Sequence, residues 1–404
     1  MQLTRRMDGC NRPVRVLYSF PHKLGADRIC TTAWYQIDGL ADMGAEVTAY
    51  PGAISRPIHK AVTVCPTLAR GRLRIPYRLL GDMRSFSLHD YIVAKRLETL
   101  AGKVDIVHTW PLGALKTLST AKRLGIPTVL ERPNAHTRFA YEVVQRECDK
   151  LGVKLPRGHE HAYKEHVLVK EEEEYRLATK LLCPSDFVAQ TFLDQGFARG
   201  KLARHQYGFD NSVYRPAQRH EAASRGLTML FVGGCAPRKG LHYALDAWFQ
   251  SDAWRDGKFL IAGAFVPGYA ERLGRMLDDP SIRVLGHRRD IAKLMQQSDI
   301  LTLPSIEEGS ALVTSEARGS GCVLLVSEAA GASCQHMVNS LVHRVGDVTS
   351  LAEHIRLLNT DRRLLQTLRE ASLRTVSEIT WTAAAARLHQ IYKKTIEEFT
   401  LTRT

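Results

Sequence analysis

A strand-to-helix junction in this chain has the sequence PSIEEGSALVTSEA, residues 304–317. The apolar run 300–303 predicts a buried strand, and Gly309 permits a tight turn before a helix. Glu308 then lies in the loop, and Glu316 lies on the second turn of the helix. Ligands of open α/β sheets bind at the carboxyl ends of the strands. The junction therefore predicts an α/β fold with two carboxylates beside a ligand site.

The backbone at the start of this helix is expected to bind an anion. Because the helix should begin near Ser310, the N–H groups of Ser310, Ala311 and Leu312 lack partners within it. Unpaired amides at the positive end of a helix suit a phosphate group. Hydroxyl groups on either side of that phosphate would donate hydrogen bonds to the two carboxylates. The pattern therefore favours a sugar nucleotide as ligand.

A second segment, residues 231–240, has the sequence FVGGCAPRKG. It ends a predicted strand with Gly233 and Gly234, where the absence of a side chain lets a ligand approach the backbone. Arg238 and Lys239 place two cations at the end of the same strand. We therefore expect this segment to hold the negatively charged part of the ligand.

Short apolar and β-branched runs alternate with helical patterns along the 404 residues, which predicts parallel sheets with crossover helices. The predicted strands cover residues 14–20, 46–50, 105–108, 128–131, 180–183, 229–232, 259–262, 282–285, 300–303 and 323–326. The length suits two domains. A segment with few large apolar residues, 208–225, is the expected linker.

Both motifs resemble the signatures of glycosyltransferase family 4, whose members are retaining enzymes with the GT-B fold. The first motif matches the family pattern at Pro304, Ser305, Glu308, Gly309, Glu316, Ala317 and Gly321. Ser310 and Ala311 replace the family's Phe-Gly. In the second motif Lys239 and Gly240 match, whereas Gly234 stands where the family commonly has Arg.

The resemblance implies two Rossmann-like parallel-sheet lobes that face each other across a cleft. Residues 1–215 would form an N-terminal acceptor-binding lobe, and residues 216–381 a C-terminal lobe that binds the nucleotide sugar. The last helix, 382–404, would return to the N-terminal lobe. The implied activity is transfer of a hexose-type unit from a nucleoside diphosphate sugar to an acceptor hydroxyl.

The resemblance also implies roles for individual residues. Lys239 and Arg238 would stabilise the leaving diphosphate, and Glu308 would hold the sugar ring. His136, which follows a predicted strand, would face the donor sugar, and Gly25 marks the loop expected to meet phosphate and acceptor. Glu316 would hold the ribose hydroxyls of the donor. The full donor-binding set comprises Gly233, Gly234, Gly309, Ser310, Ala311, Leu312 and Glu316.

No metal or other cofactor is expected, because no Asp-any-Asp motif follows a predicted strand. The segment 159–166, HEHAYKEH, is rich in ligand-type side chains, but it lacks the His-Glu-two-residues-His spacing of zinc enzymes. We interpret this segment as solvated helix surface.

The net charge of +14 calls for a second partner or a solvated basic surface. Basic and apolar residues are mixed in one part of the predicted N-terminal lobe, which suits either an anionic membrane surface or a solvated face. The arginines concerned are Arg70, Arg72, Arg74, Arg78 and Arg84. Nucleic acid is not expected, since the chain has no base-reading motif.

The expected location is the cytoplasm, and the protein would lie at the inner membrane face if the basic surface binds a membrane. The chain has no apolar run long enough to span a bilayer, and its eight cysteines lack disulfide or metal spacing. The expected acceptor is a glycan or a lipid-linked glycan, as in polysaccharide or glycolipid assembly.

Two other functions remain open at this point. The first is another GT-B enzyme, such as an epimerase or a phosphorylase, which would use the same nucleotide or phosphate site. The second is a non-catalytic scaffold that binds nucleotide sugars, which the departures at Gly234, Ser310 and Ala311 suggest.

Overall fold

A computed structural model of the chain describes residues 12–27, 29–70, 73–74, 81–217 and 226–403. The α-helices are α1 Ile29–Asp42, α2 Asp82–Thr99, α3 Leu115–Leu124, α4 Thr137–Leu151, α5 Glu165–Leu177, α6 Asp186–Asp194, α7 Leu241–Gln250, α8 Tyr269–Leu273, α9 Ile291–Gln297, α10 Leu312–Gly319, α11 Val348–Thr360, α12 Arg362–Arg374 and α13 Trp381–Leu401. The strands are β1 Arg15–Leu24, β2 Glu46–Ile54, β3 Thr63–Val64, β4 Ala69–Arg70, β5 Leu73–Arg74, β6 Ile106–Thr109, β7 Thr128–Glu131, β8 Lys180–Cys183, β9 Leu202–Arg204, β10 Thr228–Val232, β11 Lys258–Ala262, β12 Ile282–Gly286, β13 Ile300–Leu303, β14 Val323–Ser327 and β15 Ser340–His343.

Seven strands of the described residues form one sheet in the order β3-β2-β1-β6-β7-β8-β9. The strand pair β1 and β2 is parallel, as is the pair β1 and β6. The strands β6 and β7 at the centre of this sheet are buried along their whole length, so elements must cover both faces of the sheet. The predicted parallel sheet with crossover helices is confirmed for this part of the chain.

A six-stranded sheet in the described part of the second half has the order β12-β11-β10-β13-β14-β15. All five neighbouring pairs are parallel. Five of these strands were predicted to within a residue at each end. The sixth, β15, was not predicted, since its sequence Ser-Leu-Val-His is short and half polar.

The strand order of the second sheet creates a ligand-binding position. The first strand of this half, β10, pairs with β11 on one side and with β13 on the other. Connections that leave in opposite directions open a crevice at the carboxyl ends of the two strands. Both predicted binding segments, 233–240 after β10 and 304–311 after β13, start at this point.

The chain divides into two compact units. One contains the described residues of 1–130, 176–179 and 385–404, and the other those of 131–175 and 180–384. The last helix, α13, thus belongs largely to the unit formed by the N-terminal sequence, where the Tyr392 hydroxyl and His108 Nδ1 are 2.6 Å apart. The predicted return of this helix is confirmed, whereas the lobe boundaries at 215 and 381 remain predictions.

No helix among the described residues is long and apolar enough to cross a membrane. Of the five arginines assigned to a membrane surface, Arg84 is exposed on α2. Arg72 and Arg78 lie outside the described residues, as do the side chains of Arg70 and Arg74. Membrane binding therefore stays a prediction.

Candidate functional site

The loops that follow β10 and β13 are in direct contact. Gly240 has a positive φ of 68°, and a Cβ atom there would lie 2.0 Å from the carbonyl oxygen of Pro304. The N–H of Ile306 donates to the carbonyl of Arg238 at 2.9 Å. Glycine at position 240 therefore allows the two binding segments to meet.

Their meeting point is a cluster of two cations and two carboxylates. Arg238 Nη1 lies 3.0 Å from Glu308 Oε1 and 3.2 Å from Glu307 Oε2. The ammonium of Lys239 pairs with the Glu308 carboxylate. All four side chains are at least 85% buried, which makes their mutual attraction strong and any unpaired member costly. The structure thus brings together three predicted site residues, Arg238, Lys239 and Glu308.

Burial and the neighbouring charges shift the pKa values of this cluster in opposite directions. Burial alone would raise the pKa of Glu308, but Arg238 and Lys239 outweigh it and hold that pKa below its usual range. Burial would lower the pKa of Arg238, but Glu308 and Glu307 outweigh it and raise the value. For Lys239 burial dominates, so its pKa falls below the ordinary value. The site therefore favours a charged Glu308.

Glu307 is a site residue that the sequence analysis missed, because it occupies a variable position of the motif. Its side chain is 0% exposed, and Oε1 accepts the N–H of Ala135 at 3.0 Å. The next loop residue, Gly309, approaches the same segment, since a Cβ there would lie 1.6 Å from the carbonyl oxygen of Pro133. The loop after β7 thus belongs to the site.

The start of α10 differs from the prediction. The helix begins at Leu312, with Ala311 as a cap in extended conformation and without a side-chain cap. The N–H of Ala311 donates to the carbonyl of Ala330 at 3.3 Å, so the prediction of an unpaired amide at Ala311 was wrong. Anion binding by the amides of Ser310 and Leu312 remains a prediction.

Glu316 lies on the second turn of α10, as predicted, and its surroundings shift the pKa of its carboxyl group. Burial raises its pKa from 4.5 to about 7, although a hydrogen bond from Tyr214 opposes the shift. Near neutral pH the side chain is therefore present in two forms, a protonated carboxyl that can donate a hydrogen bond and a carboxylate that can only accept one.

The raised pKa of Glu316 predicts a pH-dependent stability. Between pH 4.5 and about 7 the folded state keeps a proton that the unfolded state has released, so stability falls as pH rises through this window. Replacing Glu316 with Gln should remove this dependence, and the Tm difference between variant and wild type should grow from pH 5 to pH 8. Thermal unfolding at several pH values measures this Tm difference. The control is Glu328→Gln, since the side chain of Glu328 is exposed. A constant difference would contradict the shift.

His136 lies at the N-terminus of α4 and is 1% exposed. Its Nδ1 accepts the N–H of Arg138 at 3.3 Å, and its ring makes edge contacts with Tyr175 and Phe192. These contacts give it a structural role as a helix cap. Its assignment to the donor sugar stays a prediction.

Segment 159–166 is solvated helix surface only in part, since Glu165 and His166 are exposed on α5 but His161 is not. Residues 159–162 form turns before α5, and His161 is only 6% exposed. Its Nδ1 lies 3.9 Å from Glu307 Oε2, and its Nε2 lies 3.5 Å from Glu160 Oε1. Tertiary packing thus places His161 beside the charged cluster.

The predicted glycines have different surroundings. Gly25 has a φ of 77°, and its N–H donates to the carbonyl of Cys30 at 3.0 Å, which closes a turn after β1. At Gly233 the φ of 149° favours glycine, whereas a Cβ at Gly234 would meet no atom within 4 Å. The packing therefore leaves room for a side chain at position 234, where the similar motif of glycosyltransferase family 4 commonly has Arg.

Comparisons with known proteins agree with this architecture. Residues 226–361 match the family described as Glycosyl transferases group 1. A D-inositol 3-phosphate glycosyltransferase from Thermobispora bispora is 24% identical over 395 residues, covering 89% of this chain and 87% of that protein.

Solved structures with similar folds cover nearly the whole chain. HepE of Anabaena, in complex with UDP, superposes with a TM-score of 0.64 at 16% identity, covering 95% of this chain and all of that one. The lipopolysaccharide outer core galactosyltransferase WaaB superposes with a TM-score of 0.65 at 13% identity, covering 94% and 100%. The chain therefore has the GT-B fold, and its residues 226–361 carry a match to the glycosyl transferases group 1 family.

Proposed function

We propose that the protein is a retaining glycosyltransferase of family 4 that transfers a hexose-type unit from a nucleoside diphosphate sugar to an acceptor hydroxyl. One observation carries the proposal. Two buried cations, Arg238 and Lys239, face the carboxylate of Glu308 at the carboxyl ends of β10 and β13 in a GT-B fold. Two cations at that position suit a diphosphate leaving group.

The reaction breaks the bond between the anomeric carbon and the diphosphate oxygen, and the bonding electron pair goes to the diphosphate. Arg238 and Lys239 stabilise this developing negative charge. The acceptor oxygen forms the new bond on the same face, and its proton goes to a leaving phosphate oxygen. We propose that no metal ion is required, because these two side chains supply the positive charge.

The carboxylates bind the two ends of the donor. Glu308 accepts hydrogen bonds from the sugar and supports the positive anomeric carbon once the diphosphate has taken over its cations. Glu316 accepts hydrogen bonds from the ribose hydroxyls, and its ionised form does so best because both carboxylate oxygens are then strong acceptors. Donor affinity should therefore improve as pH rises through about 7, the pKa of Glu316.

The similar structures support the ligand class. HepE has been solved with UDP, with UDP and glucose, and with UDP-glucose. WaaB acts on the lipopolysaccharide outer core by its description. We propose a comparable glycan or glycolipid acceptor, with the basic residues around Arg84 at an anionic membrane surface and the protein in the cytoplasm.

A donor panel tests the function. Wild type and Glu316→Ala would be incubated with uridine and guanosine diphosphate sugars, without metal and with chelator, while thermal stabilisation and release of diphosphate are measured. We expect one donor to stabilise the wild type and to be hydrolysed slowly, and both effects to be lost in the variant.

Other results would point elsewhere. Turnover that depends on free phosphate would favour a phosphorylase, and conversion of the donor without release of diphosphate would favour an epimerase. Binding without any turnover, with a full set of acceptors, would favour a scaffold.

A further inference from the structure

Glu307 holds Arg238 at two points. Arg238 Nη1 donates to the main-chain carbonyl of Glu307 at 2.8 Å and to its Oε2 at 3.2 Å. The other carboxylate oxygen, Oε1, accepts the N–H of Ala135 at 3.0 Å. The carboxylate is therefore fixed by the main chain on one side and by the guanidinium on the other.

The neighbouring carboxylate is held differently. Glu308 contacts the two cations that the proposed diphosphate requires, Arg238 and Lys239. Phosphate oxygens bind the same donors with similar geometry, so the diphosphate and Glu308 compete for them. A bound diphosphate would thus displace Glu308 from its cations, whereas the main-chain bond from Ala135 would still hold Glu307.

Displacing Glu307 would be costly by comparison. Its side chain is fully buried, and its departure would leave the N–H of Ala135 without an acceptor. His161 Nδ1 lies 3.9 Å from the oxygen that binds Arg238, which is beyond hydrogen-bond distance but places the imidazole next to this carboxylate. Three groups from separate segments therefore meet at this side chain.

We propose that Glu307 is the positioning residue that orients Arg238 toward the donor diphosphate. The inference rests on the proposed function, because the diphosphate is the leaving group of that reaction. It also explains how Arg238 can serve although Gly234 carries no side chain, since the guanidinium is fixed from the neighbouring loop.

The direction in which diphosphate affinity changes when Glu307 is replaced distinguishes a positioning role from a purely electrostatic one. If Glu307 were only a negative charge beside the diphosphate, its removal would strengthen diphosphate binding. If it orients Arg238, its removal weakens binding. Glutamine at 307 can accept a hydrogen bond from Ala135 or from Arg238 with its single amide oxygen, so one of the two contacts is lost.

The experiment compares Glu307→Gln with Glu308→Gln by isothermal titration calorimetry, with UDP, GDP and inorganic pyrophosphate as probes. Both variants remove one negative charge next to the same nitrogen, Arg238 Nη1. We expect Glu307→Gln to bind about tenfold more weakly, as for one lost charge-assisted hydrogen bond. Glu308→Gln should bind about tenfold more tightly, because a competing anion is gone.

A double-mutant cycle tests whether Glu307 acts through Arg238. In an Arg238→Ala background, Glu307→Gln should cause no further weakening. Arg238→Lys is a second variant that leaves the bond from Ala135 to Glu307 intact and guards against misfolding. It should weaken pyrophosphate binding too, since an ammonium cannot reproduce the planar, multi-donor geometry that a guanidinium offers to phosphate oxygens.

Opposite results would overturn the inference. Tighter binding by Glu307→Gln, or equal weakening with and without Arg238, would show that Glu307 does not position this side chain. Donor turnover by the wild type, together with wild-type affinity of Glu307→Gln, would overturn only this inference and leave the transferase in place. A wild type that binds none of the probes and turns over no donor would overturn both.

Discussion

Replacing Lys239 with alanine is expected to lower kcat/KM for the donor sugar by about 10²- to 10³-fold, as when one donor to a developing anion is removed. The side chain is 15% exposed, so its charge acts in a medium of low dielectric constant and is weakly screened. Release of nucleoside diphosphate by the purified variant, with the donor that the panel identifies, measures the effect.

The control for this prediction is Lys293→Ala. This lysine is exposed on α9 in the same unit, so its loss changes net charge without touching the cluster. We expect its activity to stay within about twofold, as for a screened surface charge. Equal losses in both variants would indicate a general electrostatic effect and contradict a specific role for Lys239. Wild-type activity of Lys239→Ala would remove it from the mechanism.

Much of the fold was predictable because its signals are local. The strands β7, β8 and β13 have the predicted bounds, since each is a short apolar or β-branched run. Glycine and proline mark the ends of β10 and β13, where the chain must turn. The cations and Glu308 follow those ends directly, so the sequence placed them at the carboxyl ends of their strands, but it did not predict their ion pairs.

The missed parts of the site depend on contacts between distant segments. Glu307 bonds to Ala135, 172 residues away along the chain, and nothing local distinguishes it from Glu308. His161 lies in a segment whose composition resembles a solvated surface, but it is buried beside Glu307. The amide of Ala311 was expected to be unpaired because its partner, Ala330, lies in the short 3-10 helix after β14.

Replacing Arg132 with alanine is expected to lower the free energy of unfolding by about 3–5 kcal/mol, as for a buried ion pair that loses one partner. Arg132 Nη1 lies 3.1 Å from Glu171 Oε1, and the two side chains are 2% and 10% exposed. The guanidinium also lies over the ring of Tyr175, 4.3 Å from its centroid. The variant would leave the carboxylate of Glu171 buried without a counter-ion. Urea unfolding at neutral pH measures the loss.

A neighbouring ion pair supplies the matched control for Arg132. Arg138 pairs with Glu172 at 2.7 Å, but its side chain is 45% exposed, so Arg138→Ala should cost less than about 1 kcal/mol. Both pairs end on α5, but Arg132 lies in the loop after β7, whereas Arg138 lies in the first turn of α4. The side chains of the first pair are buried, and Arg138 of the second is not. Because Arg132 directly precedes the segment that contacts Glu307 and Gly309, its loss should also weaken pyrophosphate binding, whereas loss of Arg138 should not. Equal destabilisation by the two variants would contradict the argument from burial, and a stable Arg132→Ala would show that Glu171 finds another partner or a proton.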